Sequence, residues 1–187
     1  MNIDEHDQQV DTSSHDIIYA LRTAHQHQSR LLLIADQKAN ILVGIVAVIL
    51  TILVTRSGNI LAMDNELVIP IASFVILELI ALVLALMVIT PKLSGQYKAT
   101  KVEDMPNPLF FGFFTRYPQS DYMEFIAEDL INDQAARKYL TRDIYQIGHV
   151  LKRKYSLLRY AYIFAVLGVA FLAATSLLVF YIYNGSL

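Results

Sequence analysis

The chain has 187 residues, 55% of them hydrophobic, a formal net charge of -2, and neither Cys nor Trp. Without cysteine there is no disulfide framework and no thiolate metal site, and the near-neutral charge lacks the basic signature of a binder of polymeric nucleic acid. The charges are also segregated, whereas a soluble domain of this size is less apolar and scatters them.

Residues 1–15 form a polar, acidic tail, expected to be disordered and unlike a secretory signal. A cytosolic helix is predicted over residues 16–38. Ser14 or Asp16 offers a cap, and Ile17, Leu21, Ala24, Gln28, Leu31 and Ala35 follow the helical period. It is expected to run on into a first transmembrane helix, residues 39–55. At ~1.5 Å per residue this span reaches about 25 Å and needs help from its flanks to cross a core of about 30 Å. The polar cluster Asp36, Gln37, Lys38 and Asn40 then marks the inner mouth of the span, with Lys38 snorkelling to headgroups. Asp36 and Asn40 share a helical face with Gly44, Ala47 and Thr51. The spacing favours a packing stripe with a polar end; the sharper alternative is a ligand contact or a gate.

An outer loop is expected over residues 56–66, a second transmembrane helix over 67–89 and a third over 158–183. Each of these two spans is long enough, at roughly 35 Å, to cross the hydrocarbon. With a cytoplasmic N-terminus, the outer loop holds one basic residue, Arg56, while Lys152, Arg153, Lys154 and Arg159 gather before the third span on the inner side. This is the positive-inside pattern, and anionic headgroups hold such a cluster at the inner surface. Glu78 lies mid-span in "FVILELIALVL", on one stripe with Ala81 and Ala85. A charged carboxylate at that depth costs about 2.5 kcal/mol or more. It either faces a pore or a subunit interface, or is a neutral acid hydrogen-bonded to a neighbouring helix or to backbone.

Residues 90–157 form a cytosolic linker and helical hairpin. Pro91, Gly95, Pro106 and Pro108 break the connection. Asp121 and Glu124 read as a capping box for a short helix over 121–131. Leu140, Ile144, Ile147, Leu151, Tyr155, Leu158 and Tyr162 make a coiled-coil-like seam leading into the third span, with Gly148 a soft spot costing roughly 1 kcal/mol against Ala. Phe110, Phe111, Phe113 and Phe114 offer stacking surfaces for a nucleobase, with Arg116 beside them for a phosphate. The competing and more ordinary role is an interfacial anchor or a plug of a small core. His25 and His27 face different sides of a helix, His6 and His15 sit in the tail, and His149 is alone, so no metal site is expected. No phosphate loop, dinucleotide motif, zinc motif or nucleophile elbow is present, and no nucleophile–base pair falls on adjacent faces, so the chain reads as non-enzymatic and without a cofactor.

Three segments in order carry a resemblance. "LLLIADQKANILVGI" resembles the A-D-x-K-A start of the first span in Pycsar membrane effectors, "NPLFFGFF" their aromatic loop after the second span, and "DIYQIGHVLKRKYSLLRYAY" their long helix leading into the last span. The resemblance implies an all-α integral membrane effector of bacterial anti-phage defence in the inner membrane. Such an effector binds a cyclic pyrimidine mononucleotide, cyclic CMP or cyclic UMP, and compromises the bilayer. This chain has no room for the separate cyclic-nucleotide-binding or phosphohydrolase domain of some relatives, so its helical cytosolic layer is expected to form the site itself, between subunits. The candidate ligand contacts are Asp36, Asn40, Phe111, Phe114, Arg116, Lys152, Lys154 and Arg159. Three spans enclose no conducting path, so a homo-oligomer is expected. The second function class is a non-enzymatic membrane anchor or scaffold that recruits a soluble partner.

Overall fold

In the computed structural model the described residues are 3–60, 68–91, 100–129 and 133–184. They are helical, with no strand among them: α1 Ile3–Ile60, α2 Val68–Ile89, a 3-10 turn Val102–Asp104, α3 Phe111–Phe114, α4 Gln119–Asp129 and α5 Asp133–Asn184. The expected all-α class with three membrane-crossing helices is what the chain adopts, since α1, α2 and α5 are each long and apolar enough to span. Helix α1 begins at Ile3, ahead of the start expected near Ser14, and continues to Ile60 into the stretch expected as outer loop. Residues 61–67 and 130–132, on which the rest of that loop and the end of the short helix were expected, lie outside the described residues.

The chain divides into two compact units: a polar unit, Met1–Leu32 with Pro91–Lys152, and a membrane unit, Leu33–Thr90 with Arg153–Leu187. The divisions fall earlier along α1 and α5 than the hydropathy edges at residues 38 and 157. The reason is packing: ahead of those edges Ala35 of α1 is fully buried and Asp36 pairs with Lys154 of α5, and the contact continues into the buried cluster of Ala39, Val88 and Leu158.

In the membrane unit a second cluster joins Leu42 and Val46 of α1, Ala85 of α2 and Ala161 of α5. Alanines at the crossings, Ala35, Ala39, Ala81, Ala85 and Ala161, are fully buried. Small side chains let backbones approach closely, which is how helices associate where lipid is as apolar as leucine. Large apolar residues such as Ile41, Ile45, Ile52, Val83, Val166 and Phe180 stay exposed. In water such a surface would be an aggregation patch, but in a bilayer it is the solvated face. The hydroxyls of Thr51, Ser73, Thr90 and Thr175 donate to the carbonyls four residues back, at 2.7–2.8 Å, so none presents a bare donor to lipid. The buried face of α1 is Ala35, Ala39, Leu42 and Val46, while Asn40, Gly44, Ala47 and Thr51, expected as the packing stripe, are exposed. In a span apolar all round, the helical period fits any face and does not select one.

In the polar unit α4 starts after Pro118, whose carbonyl accepts from the Tyr122 N–H at 3.2 Å. Asp121 therefore lies in the first turn and is not the cap, and its carboxylate accepts from the Ser120 hydroxyl at 2.8 Å. The Phe114 ring stacks on Tyr122 with centroids 4.9 Å apart. The Tyr122 hydroxyl donates to the Pro108 carbonyl at 2.9 Å. Burial pushes the Tyr122 phenol above its ordinary value of about 10. The folded state thus holds this proton more tightly than the unfolded chain does, and the associated stability, full below pH ~10, is lost as pH rises through the folded value. Tyr122→Phe is expected to cost about 1 kcal/mol at neutral pH and to flatten the alkaline limb of a thermal-unfolding series.

Candidate functional site

The polar unit holds its proline-bounded loop by one buried amide. Asn107, flanked by Pro106 and Pro108, is fully buried. Its Nδ2 donates to Asp143 Oδ1 at 2.6 Å and to Gln146 Oε1 at 2.9 Å, and its Oδ1 accepts from the Leu109 N–H at 3.0 Å. Asp143 is itself buried, and its other oxygen lies 2.6 Å from His25 Nε2 on α1. One carboxylate on α5 thus ties α1 and the loop to the same turn, with both its oxygens occupied. A satisfied network of this kind specifies a unique arrangement, because in the interior each broken link leaves a polar group without water.

One helical turn further along lies a groove of about 420 Å³, lined by Gln28 of α1 and by Thr141, Ile144, Tyr145, Gly148, His149 and Lys152 of α5. The rings of Tyr145 and His149 meet edge to face with centroids 4.6 Å apart. The Gln28 Oε1 is buried and has no hydrogen-bond donor among the described residues.

In the membrane unit Glu78 is 1% exposed, and neither carboxyl oxygen has a hydrogen-bond partner among the described residues. It floors a cleft of about 400 Å³ whose other walls are apolar residues of α1 and α5 and the ring of Tyr162. A Cβ added at Gly168 would stand 3.0 Å from Glu78 Oε1, so glycine there makes room for the carboxyl. The hydrogen bond to a neighbouring helix or backbone expected of a neutral acid is not formed among the described residues; the cleft's lining on α1 and α5 is apolar apart from Tyr162, whose hydroxyl donates to the Lys38 carbonyl instead. Nearer the polar end of the unit, Asp36 and Lys154 form a half-buried ion pair, and the Tyr162 hydroxyl donates to the Lys38 carbonyl at 3.3 Å.

The residues singled out from the sequence are divided between the units. Phe111, Phe114, Arg116 and Lys152 belong to the polar unit, and Asp36, Asn40, Glu78, Lys154 and Arg159 to the membrane unit. The structure brings Asp36 to Lys154, leaves Asn40 and Arg159 exposed, and sets Lys152 on the groove, which Phe111, Phe114 and Arg116 do not line. Phe111 is 56% exposed, while one face of Phe114 is taken by Tyr122.

The family described as the Pycsar effector protein domain matches residues 19–181, which takes in helical segments of both units. The chain belongs to that family. As a Pycsar effector it is a membrane protein of the Pycsar anti-phage defence system, in a family not known as enzymatic. No curated protein and no solved structure matches the chain.

The His25–Asp143–Asn107 network of this Pycsar effector was not foreseen from sequence. His25 and Asp143 are 118 residues apart, and no local pattern marks one as the partner of the other. The available signals were an acid set beside the apolar seam and an asparagine fixed between two prolines. The groove gave a single sign, the glycine at 148 inside a helical pattern.

Proposed function

We propose that this Pycsar effector senses a cyclic pyrimidine mononucleotide, cyclic CMP or cyclic UMP, on its polar unit and impairs inner-membrane integrity as a homo-oligomer. The carrying observation is the family match over residues 19–181, together with a membrane unit whose buried carboxyl floors a bilayer-depth cleft. The N-terminus is cytoplasmic in this reading, because that orientation keeps Lys152, Arg153, Lys154 and Arg159 on the inner side. The effector acts without catalysis or cofactor. Messenger binding shifts the membrane unit only to the extent that its affinity differs between two arrangements, since equal affinity moves nothing. Helix α5, Asp133–Asn184, contributes residues to both units without a break and is the natural carrier of that bias.

The test is dye release from vesicles of bacterial phospholipid holding the purified chain. Cyclic CMP or cyclic UMP should raise leakage well above that with cyclic AMP or without nucleotide. Leakage that ignores both pyrimidine nucleotides, with a soluble protein co-purifying instead, rejects the reading in favour of a membrane scaffold.

A further inference from the structure

We infer that the α1–α5 groove of the polar unit is the nucleotide site, taking one planar base and one phosphate. The assignment rests on the messenger reading above and concerns where and how the ligand is held. It moves the site away from the phenylalanine run and from Asp36 and Lys154, whose charges already neutralise each other in the ion pair.

Four features converge on the groove. The first is the stripe on α5: Thr141, Ile144, Tyr145, Gly148, His149 and Lys152 stand at i, i+3, i+4, i+7, i+8 and i+11, which puts them on one helical face. In order it presents a hydroxyl, an aliphatic side chain, an aromatic ring, an open floor, an imidazole and an ammonium. Tyr145 is 68% exposed, an unusual position for a large ring already anchored edge-on to His149. Its open face suits base stacking, which every base can provide. Lys152 lies one turn beyond His149, about 4.5 Å along the axis, where a phosphate on a stacked nucleoside meets a cation.

The second feature is Gly148. No backbone conformation requires glycine there, because no described residue has a positive φ. A Cβ would meet only Gln28 Oε1, at 4.0 Å. The residue costs helix stability with no local return, and what it supplies is the open floor of the groove. The third feature is the orphaned Gln28 oxygen, a buried acceptor without a donor. Native interiors rarely leave such an atom unpaired. The amino group of cytosine or the ring N–H of uracil is the donor it lacks. The fourth is size: about 420 Å³ falls within the ~300–1,000 Å³ of small-molecule pockets.

The experiment is calorimetric titration of the full-length chain in lipid nanodiscs with cyclic CMP, cyclic UMP, cyclic AMP and inorganic phosphate. Lys152→Gln is expected to weaken pyrimidine nucleotide binding about ten- to a hundred-fold, and Tyr145→Ala about tenfold. Two further variants separate binding from folding. Gln28→Leu removes the orphaned acceptor and Gly148→Ala improves the helix, so both should hold or raise the thermal midpoint while weakening binding. Lys101→Gln, exposed and outside the groove, should change neither. Binding by the wild-type chain that all four groove variants retain overturns the groove assignment and leaves the messenger reading standing. No binding of either pyrimidine nucleotide by the wild-type chain overturns both. Inorganic phosphate binding as tightly as the nucleotides overturns the base-stacking part and with it the assignment.

Discussion

Glu78→Leu should leave the membrane unit at least as stable as the native chain and remove messenger-dependent leakage. The carboxyl is buried, without a partner among the described residues, and pressed against the space left by Gly168. An ionisable group at a helix centre in the bilayer carries a penalty of about 2.5–3.5 kcal/mol on insertion scales. Replacement by an apolar side chain of similar size removes the unsatisfied group, and the adjoining cleft of about 400 Å³ accommodates the change in shape. A stability gain of about 1–3 kcal/mol is expected, read as a higher thermal midpoint in detergent. Glu78→Gln keeps the polarity and should gain less. In the proposed effector the Glu78 carboxyl is a polar group available at mid-bilayer depth when subunits rearrange. Well-folded Glu78→Leu with native leakage would show that the lesion forms without this carboxyl and would overturn its role in the leak, leaving the effector reading standing.

Asn107→Ala should have the largest effect on folding of any single change in the polar unit. It leaves Asp143 Oδ1, Gln146 Oε1 and the Leu109 N–H without their present partner at once. A buried polar group left unpaired costs about 1–3 kcal/mol, more where charge is involved, so a loss of about 3 kcal/mol or more is expected. Hydrogen exchange should show residues 100–110 and the α5 turn around Asp143 opening together. Asn107→Asp should be worse at neutral pH, since it sets a second carboxylate against Asp143, and like charges at that separation do not both ionise readily. Part of its loss should return on acidification as the pair shares a proton. Asn107→Ala with native protection would mean that α4 and the aromatic cluster hold the loop unaided.

The membrane architecture was legible because its signals are local. Length and apolarity of a span are properties of consecutive residues. The small-residue face of α2 was legible for the same reason, as Ala81 and Ala85 mark it and both are fully buried beside Glu78. Helix ends were less so. The expected cap at Asp121 gave way to a start after Pro118, because several residues near a helix start can each act as its cap.

The sequence by itself determined that three helices cross a bilayer, that basic residues gather beside one end of the last of them, and that a lone carboxyl lies mid-span. Only the tertiary structure decided which face of α1 packs, that Asp36 is paired with Lys154, that His25 shares Asp143 with Asn107, and that Gln28 and Gly148 open a groove. The physical reason is range. Hydropathy acts along neighbouring residues, whereas each of these pairings joins groups 36 to 120 positions apart, and their partners are set by packing that no single segment encodes.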